Sequence, residues 1–203
     1  MENKGSFHLT ASIPKRISIK SKNAIQLAGN AILFGGLIVY PTDTLYGFGV
    51  DARNAEAIDR LNRIKGRQTP LSVIAPDQNT VLSWTTISYE DWELVKQYLR
   101  GSTTIILPVK KDIVHFKIMG PNDSLGIRIP AHPFGPTLVE RLGFPITTTS
   151  VNRVGKTPLN NPDQIQEQFG TDIDLLIDGG PLPGSKGSTV YKLEKSKLKI
   201  VRP

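Results

Sequence analysis

The chain has 203 residues, of which 38% are hydrophobic and 21% charged, a composition typical of a soluble globular protein. It contains no cysteine, which excludes disulfide bonds and thiolate-bound metals. Its three histidines, His8, His115 and His132, are too scattered to predict a metal site. The 25 lysines and arginines outnumber the 18 acidic residues, and the resulting charge of +7 favours anionic partners such as nucleotides, phosphates or RNA.

The sequence predicts one domain at 23–203, preceded by a basic and flexible N-terminal arm at 1–22. No apolar run is long enough to span a membrane, and the arm lacks the apolar stretch of a signal peptide. The chain is therefore expected to be cytoplasmic, without membrane association. No stretch interleaves basic with aromatic residues, which favours solvated basic ends over an RNA-binding face, although both interpretations stay open.

The predicted elements follow from hydrophobic periodicity and short apolar runs. The first half has predicted helices at 23–34, 54–65 and after Ser88, and strands at 37–41, 71–75 and 103–109. The second half has predicted strands at 125–130, 145–150, 174–178, 188–193 and 198–202, and helices at 135–142 and 162–169. Because helices and strands alternate early and strands dominate late, the pattern indicates an α/β fold with a single twisted, mixed sheet flanked by helices.

A lysine and an arginine flank Gly66. Residues two apart point to different sides of a helix, so one continuous helix cannot aim Lys65 and Arg67 at the same anion. Gly66 suits the left-handed position that ends a helix, and Lys65 complements the helix dipole there. A chain reversal at Gly66 would let both cations act as an anion clamp; the alternative is a positively charged helix end without further role.

Two predicted strand ends carry polar side chains. PTDTLYGFG (41–49) places threonines on both sides of Asp43 after a buried strand, and TTTSVNRVG (147–155) runs from four hydroxyl side chains into Asn152. Ligands often bind at strand ends in sheets covered by helices. Each stretch is also compatible with an ordinary turn.

Arg128 is a charge inside an otherwise apolar strand, GIRIP. Such an arginine either faces solvent or faces a cleft, where it would suit a carboxylate.

The sequence has no nucleophile–base pair, no paired catalytic carboxylates and no complete phosphate-binding loop. An enzyme with these polar and basic residues, but without those motifs, would work by holding reactants together and neutralising charge, without a covalent intermediate.

Taken in order, these motifs resemble the YrdC-like family of threonylcarbamoyl-AMP synthases over roughly residues 23–203. PTDTLYGFG is similar to the family segment P-T-D/E-T-x-Y-G-L-G, and Lys65, Arg67, Ser150 and Asn152 reproduce its K-x-R…S-x-N signature. GIRIPAHP, DGG, STV and the closing VRP match further family segments. The resemblance implies a YrdC-like fold with a large basic concave face.

The resemblance also implies an activity, in which L-threonine, bicarbonate and ATP with Mg²⁺ give threonylcarbamoyl-adenylate, pyrophosphate and water. A separate transferase would pass the product to a tRNA adenosine. The implied nucleotide-binding residues are Lys65, Arg67, Thr104, Ser150, Asn152 and Arg202, with Lys65 and Arg67 as catalytic cations. The implied threonine-binding residues are Thr42, Arg128, Thr148 and Ser188, with Arg128 on the carboxylate. No side chain is assigned to a metal.

Two alternatives stay open. A non-catalytic relative could use a basic concavity to bind tRNA or double-stranded RNA, which the short stretch between Arg67 and the next strand favours. The second alternative is a synthase of a different carbamoyl-adenylate, as in the related domain of hydrogenase-maturation proteins. That domain normally lies within a much longer chain.

Overall fold

The computed structural model of the chain describes residues 15–66 and 70–203. Within these ranges, ten strands form one sheet with which six α-helices are associated. The helices are α1 (Ala24–Leu33), α2 (Ala55–Lys65), α3 (Gln78–Trp84), α4 (Tyr89–Tyr98), α5 (Phe134–Leu142) and α6 (Pro162–Phe169). The strands are β1 (Arg16–Ser18), β2 (Ile38–Pro41), β3 (Tyr46–Gly49), β4 (Ser72–Ile74), β5 (Thr103–Pro108), β6 (Ser124–Arg128), β7 (Ile146–Ser150), β8 (Leu175–Asp178), β9 (Thr189–Glu194) and β10 (Lys197–Arg202).

The sheet is mixed, as the sequence predicts. Its strands lie in the order β1-β8-β2-β3-β7-β4-β6-β5-β9-β10. The pairs β2–β8, β4–β6 and β5–β9 are parallel, whereas β3 and β7 run antiparallel to both of their neighbours. Strand β2 is buried at every position, which explains why its sequence is a continuous apolar run and not an alternating one.

Local capping signals fix the helix ends. Asn54 Oδ1 accepts hydrogen bonds from the backbone N–H groups of Glu56 (3.0 Å) and Ala57 (3.1 Å) at the start of α2. Asn161 caps α6 in the same way, with Pro162 at the first helical position. The predicted helices at 54–65 and 162–169 therefore begin within one residue of their observed start.

The core lies between the sheet and its helices. Phe48 of β3 meets Phe169 of α6 edge to face, with ring centroids 5.3 Å apart.

The sequence predicts no strand at 46–49, because Gly47 and Gly49 are typical of turns. In the structure Gly49 allows the strand to pass Tyr40, since a Cβ there would lie 2.7 Å from Tyr40 Cε1. Helix α3 was also missed, because its seven residues are too few for a clear period.

The predicted N-terminal arm needs a correction. Residues 1–14 lie outside the described part of the chain, but Arg16–Ser18 form β1, which pairs in parallel with β8. Arg16 also forms ion pairs with Asp163 (2.7 Å) and Asp178 (2.8 Å). These carboxylates offset the basic charge that indicated a solvated segment, so the sheet already begins at residue 16. Nowhere in the described ranges is there a helix long and apolar enough to cross a membrane.

Candidate functional site

A cavity of about 470 Å³ opens beside the central strands, within the range of about 300–1,000 Å³ that ligand sites usually occupy. Nine of the ten predicted ligand-binding residues line it: Thr42, Lys65, Thr104, Arg128, Thr148, Ser150, Asn152, Ser188 and Arg202. The tenth, Arg67, lies outside the described residues, although Lys65 and Pro70 on either side of that gap both line the cavity. The structure thus brings the described candidates together, while the role of each stays a prediction.

The cavity is cationic. Among the described residues of its wall, the charged side chains are Lys65, Arg128, Lys186 and Arg202, and none is a carboxylate. Such a wall attracts anions.

Residues 15–66 and 70–203 contain no cluster of three or more His, Asp or Glu that could hold a metal ion. This part of the wall therefore does not fit a protein-held Mg²⁺, and the basic concave face beyond the cavity stays a prediction.

Lys65 is the last residue of α2 and is only 1% exposed. Its ammonium donates hydrogen bonds to the carbonyl oxygens of Ser150 (2.5 Å) and Asn152 (3.1 Å) and to Asn152 Oδ1 (3.2 Å). Gly66 follows with a φ of 72°, so the helix ends there in the left-handed conformation, as predicted. Lys65 therefore ties the end of α2 to the segment 150–152.

Segment 150–152 has a fixed amide orientation. Ser150 Oγ donates to Asn152 Oδ1 at 2.6 Å, and this oxygen also accepts from Lys65. Asn152 Nδ2 donates to the carbonyl oxygens of Arg153 (3.0 Å) and Lys156 (2.7 Å). The two-residue spacing of the S-x-N signature lets both side chains meet at the end of β7 and line the cavity together.

Arg128 of β6 is 5% exposed. Its Nε donates to the carbonyl oxygen of Gly101 (3.1 Å), Nη1 donates to Thr44 Oγ1 (2.9 Å), and Nη2 forms an ion pair with Asp43. Desolvation lowers the pKa of Arg128 below its usual value, and the Asp43 carboxylate opposes this shift. The cleft-facing interpretation is confirmed, and the solvent-facing one is wrong.

The segment 42–45 is a tight turn between β2 and β3. Thr42 Oγ1 donates to the carbonyl oxygen of Leu45 (2.7 Å) and accepts from the backbone N–H groups of Thr44 (3.2 Å) and Leu45 (3.2 Å). The ordinary-turn interpretation is therefore correct. The turn also holds Thr42 and Thr44 in the cavity wall, so the two interpretations of this stretch do not exclude each other.

A chain of hydrogen bonds joins Thr104, Ser188 and Arg202, which all line the cavity. Thr104 Oγ1 of β5 lies 2.7 Å from Ser188 Oγ, just before β9. Arg202 Nη2 of β10 donates to the carbonyl oxygen of Ser188 (3.0 Å) and to its Oγ (3.3 Å). The resemblance assigns Thr104 and Arg202 to the nucleotide but Ser188 to threonine. Residues that are predicted to bind different ligands are therefore in direct contact.

Sequence reasoning missed two polar residues of the wall, Ser72 and Lys186. A Cβ on Gly126 would lie 2.5 Å from Ser72 Oγ, so this glycine of β6 leaves room for the hydroxyl. Lys186 lies two residues before Ser188, and that proximity was the one sequence signal that could have found it.

Comparison with known proteins gives a family. Residues 30–203 match the Sua5/YciO/YrdC family, which is described as "Telomere recombination". The threonylcarbamoyl-AMP synthase of Nitrosococcus oceani is 32% identical over 76% of this chain and 85% of its own. The Bacillus subtilis threonylcarbamoyl-AMP synthase is 30% identical over 90% of this chain, which spans about half (54%) of that relative.

A solved structure supports the same grouping. Pyrococcus abyssi Sua5 complexed with L-threonine superposes with a TM-score of 0.82 at 29% identity, over 93% of this chain and 56% of that one. The predicted YrdC-like fold is thus confirmed. Because the family match spans most of the sequence and the described signature residues Lys65, Ser150 and Asn152 line one cavity, the chain belongs to the Sua5/YciO/YrdC family.

Proposed function

We propose that this chain is a nucleotidyltransferase that makes L-threonylcarbamoyl-adenylate from L-threonine, bicarbonate and ATP, with release of pyrophosphate and water. The observation that carries the proposal is the convergence of Lys65, Ser150 and Asn152 with Arg128 around one cationic cavity. Two relatives with 30–32% identity are named threonylcarbamoyl-AMP synthases, and a similar structure is of a complex with L-threonine.

The reaction joins two anions. The threonine amine attacks the carbon of bicarbonate-derived carbon dioxide, giving a carbamate, with water as the net by-product. A carbamate oxygen then attacks the α-phosphorus of ATP, and the bond from that phosphorus to the pyrophosphate oxygen breaks. Charge repulsion opposes this approach, so a wall lined by cations and hydroxyls would lower the barrier. Holding the carbamate against ATP could supply about 7–11 kcal/mol under ideal alignment.

Lys65 and Arg67 would stabilise the charge on the phosphates, and Ser150, Asn152, Thr104 and Arg202 would hold the nucleotide. The contacts of Lys65 support a second task, since its ammonium also holds segment 150–152 in place. Mg²⁺ would arrive bound to the triphosphate and would offset part of its charge. No described residue of the wall is assigned to it as a ligand.

L-Threonine would lie against Arg128, Thr42, Thr148 and Ser188. A guanidinium pairs with a carboxylate through two parallel hydrogen bonds, so Arg128 would orient the amino acid and direct its amine toward the nucleotide. The product would be an activated carbamoyl group. We expect a separate transferase in the cytoplasm to use it for a tRNA adenosine.

One incubation tests the proposal. The protein is mixed with ATP, MgCl₂ and bicarbonate, with and without L-threonine, and the products are analysed by mass spectrometry. A threonine-dependent carbamoyl-adenylate together with pyrophosphate is the expected result. An adenylate that forms without threonine would instead favour a synthase of a different carbamoyl-adenylate. Absence of product, together with tight and salt-sensitive binding of double-stranded RNA, would overturn the proposal in favour of an RNA-binding relative.

A further inference from the structure

Asp43 lies behind Arg128 and outside the wall of the cavity. Its side chain is 17% exposed, and each of its two oxygens has a partner in or after β6. Oδ1 pairs with Arg128 Nη2, and Oδ2 accepts a hydrogen bond from the backbone N–H of Ala131 at 3.2 Å. The carboxylate therefore joins the turn after β2 to β6 and to the residues that follow it.

The hydrogen bonds of Arg128 can be counted. A guanidinium has five N–H donors, one on Nε and two on each terminal nitrogen. Within the described chain, one donor each goes to Gly101, Thr44 and Asp43. One N–H therefore remains on each terminal nitrogen. Two donors on neighbouring nitrogens are what a carboxylate needs for a bidentate contact.

We infer that Asp43 is a positioning residue, which fixes the Arg128 guanidinium so that its two remaining N–H groups bind the carboxylate of L-threonine. This inference rests on the proposed function, because it takes L-threonine as the ligand of Arg128. Asp43 also places a negative charge beside the guanidinium. The Arg128 side of the cavity thereby selects a planar carboxylate by geometry and attracts phosphate less strongly than an uncompensated cation would.

Three variants distinguish the effects of the position, the negative charge and the packing of the Asp43 side chain. Asp43→Asn keeps the size of the side chain but removes the negative charge, and Asp43→Glu restores the charge on a longer stem. Asp51→Asn is a matched control, since the Asp51 side chain is 14% exposed and pairs with Arg53 at 2.9 Å outside the cavity wall. The KM and the calorimetric Kd are measured separately for L-threonine and for ATP.

In Asp43→Asn, the KM and Kd for L-threonine should rise about tenfold, while those for ATP stay within about twofold, because one charged hydrogen-bond partner of the orienting guanidinium is lost. Asp43→Glu should recover part of the loss, and Asp51→Asn should match the wild type. A merely structural role would change the folded fraction, and so kcat, without separating the two substrates. If Asp43→Asn does not fold, a threonine-specific rise in Asp43→Glu is the test.

The outcomes distinguish this inference from the proposed function. If the wild type makes the adenylate but Asp43→Asn binds L-threonine as tightly as the wild type does, the positioning role is wrong and the function stands. Equal weakening of L-threonine and ATP binding would also overturn the positioning role. If the wild type neither binds L-threonine nor makes the adenylate, the proposed function fails, and this inference with it.

Discussion

Two buried cations face the same cavity but are held by different kinds of partner. At the Lys65 end of the cavity (Lys65, Ser150 and Asn152), the ammonium donates to two carbonyl oxygens and one amide oxygen from a single short segment. At the Arg128 end (Arg128, Asp43 and Thr44), the guanidinium meets a carboxylate and a hydroxyl from a turn far away in sequence. Both residues are at most 5% exposed.

The difference favours a different kind of anion at each end. Carbonyl and amide oxygens are neutral, so they orient the Lys65 ammonium without cancelling its charge. The Asp43 carboxylate offsets the charge of Arg128 and leaves it as a source of directed N–H donors. We therefore expect the Lys65 end to act on a polyanion mainly through charge, and the Arg128 end to act on a carboxylate mainly through geometry.

Replacing Lys65 should have the largest effect. Lys65→Met keeps most of the buried stem but removes the ammonium, so the contacts to segment 150–152 and the charge on the phosphates are lost together. We expect kcat/KM for ATP to fall about 100-fold, since hydrogen bonds from charged groups contribute about 1.5–3 kcal/mol each. Steady-state release of pyrophosphate measures the change. A fall below threefold, in a variant that melts cooperatively, would contradict a role of this end in catalysis.

The Arg128 end is tested by a substitution that keeps its charge. Arg128→Lys removes the planar fork and should raise the KM for L-threonine about 30-fold, with a much smaller change for ATP, because a lysine cannot make the bidentate contact. Arg53→Lys serves as the control, since Arg53 forms a similar pair with Asp51 outside the cavity wall. If lysine at 128 supports a normal KM for L-threonine, charge alone is sufficient and the geometric argument is wrong.

The two ends also differ in how far the sequence predicts them. The Ser150–Asn152 contact joins residues two apart, and Gly66 is a local helix-ending signal, so both could be read from short motifs. The Arg128–Asp43 pair joins residues 85 positions apart, and hydrophobic periodicity contains no information about such contacts. The residue itself predicts only that Arg128 suits a carboxylate if it faces a cleft, and its assignment to threonine comes from resemblance to a family.

The fold shows the same division between local and non-local information. Helices such as α2, with a clear period and a capping asparagine, were predicted to within about one residue, which is within the usual uncertainty in helix ends. Strand β1 was missed because its three residues have no apolar run, and it is held by pairing with β8 and by carboxylates far along the chain. The order of the strands could not be predicted either, since it depends on which buried faces meet.

Loss of the hydrogen bond between Thr104 and Ser188 should have a smaller effect. Thr104→Val keeps the shape of the side chain and removes the hydroxyl that lies 2.7 Å from Ser188 Oγ. We expect kcat/KM for both substrates to fall about fivefold, which corresponds to one hydrogen bond of about 1 kcal/mol. Kinetics at varied ATP and varied L-threonine measure the two values separately. A loss confined to one substrate would show that the pair acts on that substrate alone.

The smallest predicted effect concerns pH near the Arg128 end. Burial lowers the pKa of His132 below its usual 6.5, and the nearby Asp43 carboxylate offsets only part of this shift. Below pH 6.5 the unfolded chain therefore binds a proton more readily than the folded one, so the free energy of unfolding must fall as the pH falls. His132→Asn should reduce this slope between pH 7.5 and 5.5 in urea denaturation. The change should be well under about 1.4 kcal/mol, because the ring is partly exposed and water screens it. A steeper slope in the variant would mean that Asp43 outweighs burial at this position.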